Sequence, residues 1–60
     1  MGEKIRKFRE KQGWSQKQLA EHLGVHQSCV HLWETGKTFP RIKHINALSV
    51  LFGCEPKDLF

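Results

Sequence analysis

Cysteine is scarce in this 60-residue chain, which holds only Cys29 and Cys54. Two thiols cannot build the disulfide framework that a small secreted domain uses to supplement its core, so reduced thiols in a cytosolic setting are expected. No apolar run approaches the roughly 18 residues of a membrane span. Met1-Gly2 leads straight into EKIRKFREK, a charged stretch where a secretory signal would be apolar. A cytoplasmic protein is the expectation. β-Branched residues never alternate over the length of a strand, which argues against any sheet. Low-complexity segments and internal repeats are also missing. A chain this short buries only about 60% of the surface that its unfolded form exposes. That suffices for one domain over residues 1–60, without room for a scaffold carrying a catalytic cleft.

What the chain does have is positive charge and regularly placed glycine. Lys and Arg number 10 against 6 acidic residues, a net charge of +4, with a pI of about 9.4. Such a surplus suits a polyanionic partner such as nucleic acid. Gly13, Gly24, Gly36 and Gly53 each follow a stretch of helical periodicity, the position at which a left-handed residue ends a helix.

Between these stops the pattern predicts five short helices. The first covers about Glu3 to Gln12, with Ile5 and Phe8 on its inner face and Lys4, Arg6, Lys7 and Lys11 on a solvated one. Ser15 and Gln18 form the S-x-x-Q capping box of a second helix, Gln16 to Leu23, and Trp14 and Leu19 stand at the spacing of a hydrophobic staple. Leu19, Ala20 and Leu23 make its buried face. Val25 and Val30 repeat the staple spacing around a third helix, about Gln27 to Thr35, which buries Val30 and Trp33. His26 occupies the cap position there and is a poor capping residue by type. A fourth helix, Ile42 to Phe52, carries an apolar stripe of Ile42, Ile45, Leu48, Leu51 and Phe52. Pro56 opens a terminal turn ending at Phe60. The fold class expected is an all-α bundle.

Helices two and three are joined by Leu23-Gly24-Val25-His26, too tight for an antiparallel hairpin. A short glycine-containing turn with a sharp crossing is the helix-turn-helix arrangement. In that motif the second helix of the pair enters the major groove of DNA by its N-terminal end. Its outward residues would be Gln27, Ser28, His31 and Leu32. Gln pairs bidentately with adenine, Ser bonds either donors or acceptors, and an aliphatic side chain meets a thymine methyl.

These residues carry a resemblance to a known family. SQKQLAEHLGVHQSCVHLWETGK resembles the signature of the Xre and lambda-Cro-like helix-turn-helix repressors. The matching positions are Ser15-Gln16, Leu19-Ala20, Leu23-Gly24-Val25, Val30, Trp33-Glu34 and Gly36-Lys37. IKHINALSVLFG and PKDLF match the family's later helix and terminal turn, so the likeness runs from Ile5 to Phe60. The resemblance implies a regulator that binds operator DNA, usually as a homodimer on a two-fold symmetric site. It implies that Gln16 bonds a phosphate at a helix N-terminus, that Gln27 and Ser28 are the principal base readers, and that His31 and Leu32 support them. It places Lys37 and Arg41 in a loop that meets the DNA backbone. It also implies an ion pair between Arg9 and Glu34. The chain departs from the family at His26, where Ser or Thr is common, at Arg41, where the fourth helix is usually capped, and at Leu32, where a polar residue is common.

Rival readings rest on other residues. His22, His26, Cys29 and His31 crowd together in sequence, as zinc ligands could. Gly24 interrupts the helix between the first two, and Cys29 and His31 point in different directions on the third, so no metal or other cofactor is expected. His26 and His31 instead stand near phosphate or bases, where protonation below about pH 6.5 would favour binding. No nucleophile, base and orienting group share a recognisable cleft, which argues against an enzyme. A protein-interaction module of the same fold, antitoxin-like or coactivator-like, is the alternative; it would bind its partner through Leu32, Phe39 or Phe60.

Overall fold

A computed structural model describes residues 1–60. Its elements are α1 (Gly2–Lys11), α2 (Gln16–Leu23), α3 (Gln27–Glu34), α4 (Ile42–Phe52) and a terminal 3-10 turn (Pro56–Leu59). The expected fifth helix is therefore a single 3-10 turn ending one residue early, while α1 is shifted by one residue and α3 stops before Thr35. The fold class is as expected: helices only, with no strand.

α2 begins where the capping box requires. Ser15 Oγ accepts from the Gln18 amide at 3.0 Å, and Gln18 Oε1 accepts from the Ser15 amide at 2.8 Å. It ends at Gly24, whose φ of 69° lies in the left-handed region, and the Val25 amide reaches back to the Ala20 carbonyl at 3.0 Å. This leaves only Gly24, Val25 and His26 between α2 and α3, and the two helices pack against each other. Their apolar faces meet in one core of Ile5, Leu19, Ala20, Val30, Trp33, Leu48, Phe52 and Leu59. Phe8 stacks on Phe52 at 5.3 Å, and Trp14 lies beside the same ring at 6.5 Å, closing the core between α1 and α4.

One placement differs from the periodic reading. Ile42, expected on the buried stripe of α4, is 77% exposed. The N-terminal turn of α4 extends beyond the core, so helical register alone does not bury it. Leu59 is fully buried, because the 3-10 turn folds back against α4 and α1. It belongs to the core and cannot form part of an external patch, whereas the adjacent Phe60 is exposed.

Gly2 plays a part that its terminal position does not suggest. A Cβ added there would lie 2.3 Å from the Trp33 carbonyl oxygen and 2.7 Å from that of Glu34. The start of α1 thus approaches the end of α3 backbone to backbone, which only glycine permits. Gly2→Ala is expected to lower stability by about 1–3 kcal/mol, as overpacking against rigid atoms does. Urea unfolding of the two proteins checks this; an unchanged midpoint would mean that α1 can move away freely.

Half-buried His44 adds a pH dependence to stability. Its ring lies 5.3 Å from that of Trp33, and its buried Nδ1 has no hydrogen-bond partner. Burial pushes the imidazole below its ordinary 6.5, helped by the positive charges of Lys43 and Arg41. The unfolded chain therefore takes the proton first. This contribution to stability is complete above pH 6.5 and is lost as pH falls through the folded value. His44→Gln should flatten the decline of the melting temperature below pH 6.5; an identical pH profile would sink this account.

Candidate nucleic-acid interface

The site is built around Glu34, the last residue of α3. Arg9 of α1 grips its carboxylate with two bonds, Nε to Oε2 at 2.7 Å and Nη2 to Oε1 at 3.0 Å. Such a paired fork fixes orientation as well as distance. The third guanidinium arm, Nη1, donates to the Trp14 carbonyl at 2.8 Å, just before α2. Their side chains are 12% and 3% exposed, so the expected ion pair is present and buried. The Glu34 bond and charge hold the Arg9 pKa above its already high value, against the opposing effect of burial.

Gln16, the first residue of α2, also uses this carboxylate. Its Nε2 donates to Glu34 Oε1 at 3.1 Å. The side chain thus enters the site already oriented, with one amide hydrogen committed and the other free. The sequence pattern contains no sign of this link, because its partners lie eighteen residues apart and on different helices.

His26 corrects the reading of its type as a poor cap. Its Nδ1 accepts from the Ser28 backbone amide at 3.1 Å and lies 2.9 Å from Ser28 Oγ. An imidazole nitrogen thus does what a Ser or Thr oxygen commonly does at such a position. The expectation that protonating His26 favours binding meets an opposing effect, since a protonated Nδ1 cannot accept the Ser28 amide.

Gln16, His26, Gln27, Ser28 and His31 together line a shallow depression of about 340 Å³ across the starts of α2 and α3. Gln27, Ser28 and His31 are exposed. Leu32 stands outside this group. Expected to be exposed with them, it is half-buried; the chain after α3 curls back to donate the Lys37 and Thr38 amides to its carbonyl at 3.0 and 3.3 Å. Lys37 and Arg41 are exposed on that connection, and Arg41 occupies the cap position of α4 without a side-chain cap bond. The crowded histidines do not converge: His22 stacks on Trp14 at 4.3 Å, and no group of three or more His, Cys, Asp or Glu side chains could hold a metal. Cys29 and Cys54 are both free and half-buried, and burial, with Asp58 nearby, pushes the Cys54 thiol up. No helix is long and apolar enough to cross a membrane.

A capped helix, a left-handed glycine turn and a second capped helix with an outward polar row define a helix-turn-helix domain. The family described as Helix-turn-helix matches residues 5–59, and the chain belongs to it, in its Xre and Cro type. A transcriptional regulator of helix-turn-helix type from Archaeoglobus fulgidus is 33% identical over 60 residues, covering all of this chain and 86% of that protein. The transcriptional activator BcrR of Enterococcus faecalis is 34% identical over 57 residues, 95% of this chain. The chain spans only 28% of the length of BcrR. The crystal structure of the restriction-modification controller protein C.AhdI from Aeromonas hydrophila superposes with a TM-score of 0.88 at 32% identity, covering 98% of this chain and 89% of that one.

Proposed function

We propose that the chain binds double-stranded DNA in a sequence-specific manner and regulates transcription from the cytoplasm. The observation that carries this reading is the depression where the Gln16 amide, the His26 ring and the polar row of α3 face outward together. α3 enters the major groove, Gln27 and Ser28 meet base edges, and His31 and Leu32 flank them. Gln16, His26, Lys37 and Arg41 contact phosphates, setting register while the bases select sequence. The net charge of +4 supplies the general attraction. The chain acts as a binding protein and not an enzyme, and it binds a two-fold symmetric operator as a homodimer, at least on DNA. The exposed Ile42, Val50 and Phe60 offer the apolar surface for that pairing.

Selection of bound duplexes from a random pool supplies the operator. Gln27→Ala is then expected to weaken operator binding by about 1–3 kcal/mol while leaving binding to random duplex nearly unchanged. Mobility-shift titrations on both DNAs check it. Equal losses on the two would remove Gln27 from the base readers, and an absence of salt-sensitive binding by the parent protein would favour the interaction module.

A further inference from the structure

We propose that His26 makes Ser28 a hydrogen-bond acceptor only, so that this position reads bases bearing an amino group. The inference rests on the DNA reading of α3 and adds a rule of specificity to it.

The chain of reasoning begins at a group that cannot change its role. The Ser28 backbone amide only donates, and it lies 3.1 Å from His26 Nδ1. That nitrogen therefore accepts and carries no proton, so the neutral ring holds its hydrogen on Nε2. Ser28 Oγ lies 2.9 Å from the same Nδ1. With no hydrogen on the nitrogen, the hydrogen in this contact is the hydroxyl's own. Ser28 Oγ–H donates to Nδ1, sharing its one lone pair with the amide, and turns two oxygen lone pairs outward.

A free serine hydroxyl rotates to suit and bonds either kind of base edge. This one is held. In the major groove, amino donors are offered by adenine N6 and cytosine N4, whereas guanine O6 and thymine O4 only accept. The base facing Ser28 is accordingly adenine or cytosine. The same tautomer leaves the Nε2–H of His26 as a neutral outward donor, suited to a phosphate oxygen without a charged ring.

Two measurements test this. In the DNA-free protein, long-range proton–nitrogen NMR of the His26 ring should show the hydrogen on Nε2 at neutral pH; a hydrogen on Nδ1 overturns the proposal. On DNA, operators carrying each of the four bases opposite Ser28 are compared for the parent, Ser28→Ala and His26→Thr. Threonine keeps a side-chain oxygen to cap α3 and releases the serine hydroxyl. The parent should favour adenine and cytosine by roughly fivefold, the effect of one neutral hydrogen bond. Ser28→Ala should abolish that preference, and His26→Thr, which also loses the phosphate donor and so weakens binding to all four operators alike, should bring it within about twofold. A parent that binds its operator but favours guanine or thymine there overturns only this proposal, as does a preference that survives in His26→Thr. A parent without salt-sensitive DNA binding overturns the DNA reading and this rule with it.

Discussion

Replacing Glu34 by alanine is expected to cost about 3–5 kcal/mol of stability, the usual consequence of removing one partner from a buried ion pair. Arg9 keeps its charge at any accessible pH, and its side chain is only 12% exposed. Without Glu34 it loses two of its three protein bonds and retains the Trp14 carbonyl alone. The large figure measures the stranded cation more than the worth of the intact pair. A double variant, Arg9→Met with Glu34→Leu, should therefore recover much of the loss in urea denaturation. A cost for Glu34→Ala under about 1 kcal/mol would group the pair with ordinary surface bridges. The same substitution also removes the acceptor that orients Gln16, so DNA affinity should fall even where the protein remains folded.

Leu19→Ala should cost about 2–5 kcal/mol, through lost burial and the cavity left behind. Leu19 is fully buried, at the centre of the face that α2 turns to the core. Small domains stand near the lower end of the usual 5–15 kcal/mol, so this one change can leave an appreciable unfolded fraction at 25 °C. Ile42→Ala makes the contrast, because that exposed side chain should cost no more than about 0.5 kcal/mol. Thermal unfolding followed by circular dichroism measures both. Similar losses at the two positions would mean that the N-terminal turn of α4 is covered in solution, as pairing with a second copy through that turn would produce.

Much of the fold can be read from the sequence alone because its boundaries are set locally. The Ser15–Gln18 box and Gly24 are contacts within a few residues of one another, and residue type alone announces them. The buried faces of α2 and α3 follow from their periodicity in the same way. Legibility fails where partners meet across the fold. Periodicity tells which residues of α4 share a stripe but not how far along the helix the core extends, hence the misplaced Ile42. The burial of Leu59 depends on the 3-10 turn folding back onto α4 and α1. The contact at Gly2 is a backbone approach, which no side-chain pattern records.

The candidate site divides along the same line. Exposure of Gln27, Ser28 and His31 follows from their places opposite Val30 and Trp33 on α3. Leu32 has a neighbouring register but is half-buried, which the periodicity of α3 alone does not reveal. The Gln16–Glu34 bond requires the helices to be folded together before it exists. His26 could have been suspected as a cap from chemistry, since an imidazole nitrogen has the lone pair that the Ser28 amide needs. Capping preference by residue type hides it.

The contact between His26 and Ser28 also bears on any effort to retarget the domain. The outward positions of α3 contribute nothing to the buried cluster, so a combinatorial library at Gln27, Ser28 and His31 could explore new operators on an unchanged scaffold. One of those positions, however, inherits its hydrogen-bond polarity from a neighbour outside the helix. Randomising position 28 against a fixed His26 would test each newcomer in the setting fitted to serine. Varying positions 26 and 28 as a pair would let the cap and the reading residue change together, and would reach binding preferences that single-site diversity leaves out.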